Sequence, residues 1–108
     1  MEVSNFYNYS YIEKNRELFE TIVEKNNVHI KIKKIISVSY SDDNNKWYDQ
    51  DEDEWVMVLR GKAGIKFSDG EIINMQEGDY IFIPQHKKHQ IIYTSNNPPC
   101  FWLAIYLK

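Results

Sequence analysis

From residue 28 onward the chain is a succession of short apolar or alternating runs, cut at regular intervals by turn residues. That rhythm restricts its fold more than any other feature. Val28, Ile30 and Ile32 alternate with His29, Lys31 and Lys33, the pattern of a strand with one buried face. Ile35, Ile36 and Val38 continue it past a bend, and residues 41–45 form a polar turn. Residues 55–59 are apolar throughout, as in a strand covered on both faces. Residues 63–67 and 71–75 flank Ser68-Asp69-Gly70, and Asp-Gly supplies the positive-φ positions a tight hairpin needs. Residues 76–79 are a further turn, and residues 80–83 form a short strand stopped by Pro84, which has no amide to donate. Residues 90–93 and 101–107 are the last strands, split by a turn over residues 95–99. Short strands at even spacing predict an all-β sandwich or barrel, and the shortage of helical segments argues against a parallel βαβ sheet.

The first 27 residues read differently. Residues 1–11 resemble an extended arm, and residues 12–23 are expected to form a short helix. Leu18, Phe19, Ile22 and Val23 would make one apolar stripe, with Glu13, Lys14, Arg16, Glu17 and Glu20 on the other face. Asn26-Asn27 would end it. A length of 108 residues suits one domain, with the arm and helix over residues 1–27 and a β-barrel over residues 28–108.

Charge and cysteine usage narrow the function classes. Sixteen acidic residues against thirteen basic ones give a net charge of −3, with no basic footprint for nucleic acid. Cys100 is the single cysteine, so no internal disulfide is possible, and its setting after Pro98-Pro99 suits a packed side chain better than a nucleophile. The N-terminus lacks the apolar core of a signal peptide, and no apolar run reaches membrane-spanning length. A cytoplasmic location, with no membrane or nucleic-acid partner, is the expectation.

Two blocks of the chain carry a family resemblance. Gly78 is followed after five residues by Pro84 and then by Gln85-His86-Lys87-Lys88-His89, while Glu54 is followed after six residues by Gly61. Their spacing and order resemble the two conserved blocks of the cupin superfamily, with His86 standing where those proteins often have glycine. The stretch 47–55, with Pro98-Pro99 and Phe101-Trp102-Leu103-Ala104, is similar to a subgroup of small cupins. The resemblance implies a small antiparallel double-stranded β-barrel of the cupin or jelly-roll type with an interior site, here preceded by one short helix. It also implies a metal site of three histidines and a carboxylate. The two first-block histidines, however, fall on Tyr48 and Gln50, or on Trp47 and Asp49, so only Glu54 and His89 remain of that set.

If both blocks face the interior, as the resemblance implies, Tyr48, Gln50, Glu54, His89 and Trp102 are the expected ligand-binding residues. Trp55, Phe82 and Tyr93 are further candidate walls, subject to strand phase. Glu54, His89 and Gln50 are the candidate ligands of a divalent transition metal such as Fe, Mn, Ni or Zn, and His89, His86 and Tyr48 are candidate proton-transfer residues. Without a metal, Glu54 and His89 would form a hydrogen-bonded pair in an apolar interior. Binding of a small polar molecule is one expected function, and the resemblance implies two others: a metal-dependent dioxygenase, isomerase or decarboxylase with a histidine-poor site, or a metal-free sugar isomerase or epimerase. The acidic run from Asp49 to Glu54 lacks the spaced ligands of a calcium loop and reads as a solvated rim. Trp55, Met57 and Leu59, with Phe101, Leu103, Ile105 and Leu107, need cover on their outward side, which predicts a homodimer.

Overall fold

The computed structural model describes residues 1–108 and contains eight strands. They are β1 (Arg16–Lys25), β2 (Ile30–Val38), β3 (Asp53–Arg60), β4 (Lys62–Phe67), β5 (Ile72–Gln76), β6 (Tyr80–Ile83), β7 (His89–Thr94) and β8 (Cys100–Leu107). A five-stranded sheet runs β1-β2-β8-β3-β6 and a three-stranded sheet runs β5-β4-β7, with every pair antiparallel. No segment is a helix long and apolar enough to cross a membrane.

Two expectations fail here. Residues 12–23 are not helical, because residues 16–25 pair instead with β2 from Arg16↔Val38 to Lys25↔Ile30. That ladder pairs the inner edge of the segment with β2, and Thr21-Ile22-Val23 is a β-branched run that favours it over a helix. The stripe read as one helical face is split between the two faces of a strand. Leu18 packs on Ile36, Val38 and Phe101, while Phe19 lines the interior. The second failed expectation is the closed barrel. Neither sheet closes on itself, and β1, β6, β5 and β7 remain edge strands. The chain passes between sheets at corners rather than through a continuous ladder. At the β3–β4 corner Gly61 has φ +86°, and a Cβ there would lie 2.5 Å from Ser95 Oγ and 2.6 Å from the Pro99 carbonyl. Only glycine fits that corner. Residues 28–38 also differ slightly from expectation, since β2 runs unbroken where a bend was predicted and Val28 lies in the turn before it.

The core fills the space between the sheets. Ile35, Val56, Val58, Ile83, Trp102, Ala104 and Tyr106 come from the larger sheet, and Ala63, Ile65, Phe67, Met75 and Ile91 from the smaller. Alternation within β3 carries the logic: Glu54, Val56 and Val58 are buried, while Trp55, Met57 and Leu59 face outward and are half-buried. A second cluster of Ile36, Val38 and Phe101 forms on the outer face, where Phe6 and Ile12 of the N-terminal arm cover it. Tyr7 and Tyr9 meet the Phe101 ring edge-on at 5.2 and 5.5 Å. The arm is pinned by the buried Lys34, whose ammonium donates to the Asn8 carbonyl at 2.9 Å and pairs with Glu20 at 3.2 Å.

Candidate functional site

A cavity of about 60 Å³ lies between the two sheets, enough for a few water molecules or a small ligand. Its wall comprises Glu17 and Phe19 of β1, Ile35 of β2, Tyr48 and Gln50, Glu54 and Val56 of β3, Ile65 of β4, Ile83 of β6, His89 and Ile91 of β7, and Trp102 and Tyr106 of β8. The five residues expected to contact a ligand, Tyr48, Gln50, Glu54, His89 and Trp102, all line this one space. Phe19 is half exposed and stands at its mouth.

Strand phase explains which residues reach it. In the register Trp55↔Ile105 and Val56↔Ala104, the even-numbered residues of β3 and β8 point inward, which admits Glu54, Trp102 and Tyr106. Trp55 and Phe82 lie across from each other on the outer face. On β7 the pairing skips from Ile65↔Ile91 to Gly64↔Tyr93, and this irregularity turns Tyr93 away from the cavity. Its hydroxyl donates to Asn74 Oδ1 at 2.8 Å instead. Of the four aromatic walls considered, only Trp102 is one.

His89 is held from several sides. Its backbone exchanges hydrogen bonds with Tyr48, at 2.8 and 3.1 Å, and the two rings stack with centroids 5.5 Å apart. His89 Nδ1 lies 3.0 Å from the Lys87 carbonyl, which can only accept, so Nδ1 carries the proton and Nε2 keeps its lone pair. Burial lowers the pKa of this ring, against the opposing pull of that carbonyl. Nε2 lies 3.9 Å from Glu54 Oε1, too far for a hydrogen bond. Glu54 is itself buried, and its Oε1 has no hydrogen-bond partner. Burial pushes the Glu54 carboxyl up to about 7, with the Tyr106 hydroxyl and Lys33 pulling the other way.

Glu17 escaped the sequence reading, which put it on the solvent face of a helix. In the strand it faces inward opposite Ser37. The Ser37 hydroxyl donates to Glu17 Oε2 at 2.6 Å and accepts from Trp102 Nε1 at 3.0 Å. Burial raises Glu17 to about 7, the Ser37 bond opposing it. Tyr106 was missed as well, although its spacing from Trp102 and Ala104 places it in the inward phase. A third unforeseen group is Asp42, in the segment read only as a polar turn. Its side chain is fully buried, accepts from the Ile91 amide at 2.7 Å and from the Tyr40 hydroxyl, and ties this loop to β7.

His86 lies outside the cavity. Its φ is +63°, a left-handed conformation that glycine adopts freely, and its Nδ1 lies 2.8 Å from Asp49 Oδ1 on the exposed rim. The acids of residues 49–53 have separate partners: Asp49 with His86, Asp51 with Lys108, Glu52 with Lys31, and Asp53 with the Gln85 amide. They do not converge on one point.

A metal fits this wall poorly. No three His, Cys, Asp or Glu side chains converge anywhere in the structure. His89 and Glu54 supply one imidazole and one carboxylate, Glu17 on the same wall does not converge with them, and Gln50 and Tyr48 would have to complete the set, whereas first-row metals favour richer nitrogen and carboxylate donors.

Two facing antiparallel sheets around a buried polar cavity define the class of protein. The Cupin domain family matches residues 42–106, more than half of the chain, and the protein belongs to that family. Its structure superposes with a TM-score of 0.89 on a protein of Ralstonia eutropha JMP134 that carries the provisional name mannose-6-phosphate isomerase. The two are 30% identical over 99% of this chain and 98% of that one. A cupin superfamily protein of Desulfitobacterium hafniense DCB-2 is 21% identical, with a TM-score of 0.74 over 91% of this chain and 83% of that one. FeII HppE, an iron(II) form by its name, shares the fold at 14% identity and a TM-score of 0.72, over 84% of this chain and 50% of its own. No functionally curated protein matches the sequence.

Proposed function

We propose that the cavity binds a small polar molecule through Glu54 and His89, with Tyr48, Gln50 and Trp102 shaping the space around it. One observation carries this reading: a buried carboxylate oxygen without a partner faces an imidazole nitrogen 3.9 Å away. An unsatisfied buried acceptor costs about 1–3 kcal/mol, and a bound donor between the two atoms removes that penalty. The test is a ligand screen followed by side-chain NMR. His89→Ala and Glu54→Gln should keep the backbone spectrum of the folded protein and lose ligand response; variants that respond like wild type would place the site elsewhere.

A second reading, metal-free isomerase or epimerase chemistry, is favoured by the His89 tautomer. An unprotonated Nε2 in a desolvated site is a base poised to take a proton from carbon next to a carbonyl, and a cavity tyrosine hydroxyl can supply one. The provisional isomerase name of the Ralstonia protein is consistent with this reading. Deuterium exchange into a bound carbonyl compound, lost in His89→Ala, distinguishes it from binding alone.

We infer that the chain pairs as a homodimer through its outer sheet face. The arm covers one end of the outer sheet face, but Trp55, Met57, Leu103 and Ile105 remain partly exposed, and Tyr80 and Phe82 are more exposed still. A second copy would bury this block.

A further inference from the structure

We propose that the cavity selects a small organic cation of the alkylammonium type over phosphate esters and carboxylates. The inference rests on the pocket reading above and goes on to name the charge of its ligand.

Carboxylates reach the space from two strands that are not neighbours, Glu17 on β1 and Glu54 on β3, and no lysine or arginine lines it. Two ammonium groups lie beside aromatic rings of the wall and pull weakly on its carboxyls: Lys33, acting on Glu54, is 5.0 Å from the Tyr106 ring centre, and the half-exposed Lys46, acting on Glu17, is 5.2 Å from that of Tyr48. The stronger observation is Glu54 Oε1, nine-tenths buried and unpartnered. Facing it is His89 Nε2, which is also an acceptor because Nδ1 holds the proton. Two acceptors 3.9 Å apart call for one group with at least two hydrogens. An ammonium has three and brings a positive charge. An alcohol has one, and a carboxylate or phosphate dianion has none. The π-faces of Tyr48, Trp102 and Tyr106 add surfaces that attract cations. Burial holds both carboxyls near 7, and a bound cation is the counter-charge that lets them ionise.

Isothermal titration at pH 8 with three ligands of one skeleton, isobutylammonium, isobutanol and isobutyrate, tests this, with mannose and mannose 6-phosphate as further probes. Isobutylammonium should bind at least about ten-fold more tightly than isobutanol, and both anions should give no detectable binding. Glu54→Gln and Glu17→Gln, each checked for a native-like NMR spectrum, should each erase the preference for the cation. If isobutanol, mannose or an anion binds as well as the ammonium, and that binding is lost in Glu54→Gln, the pocket stands and the charge assignment falls. If no probe binds and the His89 and Trp102 side-chain signals are unmoved by all five, both the charge assignment and the pocket reading fall, leaving the gap to water.

Discussion

Glu54 is a buried carboxyl raised by desolvation, and its titration gives a signed prediction. Its folded pKa of about 7 exceeds the ordinary carboxyl value, so the folded state binds a proton that the unfolded state has released. The stability that proton confers is complete below the unfolded value and is lost as pH rises through 7. In Glu54→Gln this loss is absent. The variant should therefore gain on the wild type by on the order of 3 kcal/mol between pH 4 and pH 8, measured by urea unfolding at both values. A constant difference across that range would show that the carboxyl is solvated. Cys100, fully buried and with its thiol pushed up by burial, should react with thiol reagents only at the rate of unfolding. At this scale the sequence was informative where a residue type met a fixed spacing: Glu54 and His89 stood out by their distances from Gly61 and Pro84. Glu17 did not, because its role comes from a strand partner twenty residues away and from no motif of its own.

At the scale of elements, the legible features were those set by local chemistry. The Asp69-Gly70 reversal forms as expected, with the Gly70 amide donating to the Phe67 carbonyl at 2.9 Å and Gly70 at φ +96°. Strand β6 has the bounds predicted from Pro84. The misread elements depended on distant pairing. Residues 16–25 satisfy a helical period and a strand equally well, and β2 decides between them. Tyr93 loses its expected face to one irregularity in the β4–β7 ladder, which no local pattern announces. The loop before Tyr48 is another such case, since Asp42 anchors it to β7 by contacts across 49 residues. Asp42→Ala should destabilise the fold by about 2–3 kcal/mol and speed amide exchange at Ile91 and Tyr48, because it leaves the Ile91 amide unpaired in a buried setting. Unchanged exchange at both amides would remove Asp42 from the framework of the site. His86→Gly, by contrast, should leave ligand binding intact, since that side chain lies on the rim and its backbone conformation suits glycine.

At the scale of the whole molecule, the sheet-on-sheet arrangement accounts for both the cavity and the uncovered face. Two layers of alternating residues bury one side of each strand, and where Glu17, Glu54 and His89 replace apolar residues the packing leaves a polar gap. The chain's family was legible from two spaced blocks, while sheet closure was not, because it depends on hydrogen bonding between strand edges that sequence patterns do not fix. The donor set predicts that chelators leave the melting temperature unchanged and that no divalent metal raises it. The exposed outer face predicts a dimer in sedimentation at micromolar concentration, converted to monomer by Trp55→Glu; a monomeric wild type would contradict it.

The central claim is that two acceptors, Glu54 Oε1 and His89 Nε2, face each other across an interior cavity. The ¹⁵N shifts of the His89 ring at pH 8, where the Glu54 carboxyl is ionised, test it most directly. A neutral imidazole protonated at Nδ1, with an unprotonated Nε2 whose signal moves when ligand binds, is the predicted result. A ring protonated at Nε2, or a doubly protonated imidazolium paired with an ionised Glu54, would contradict the account.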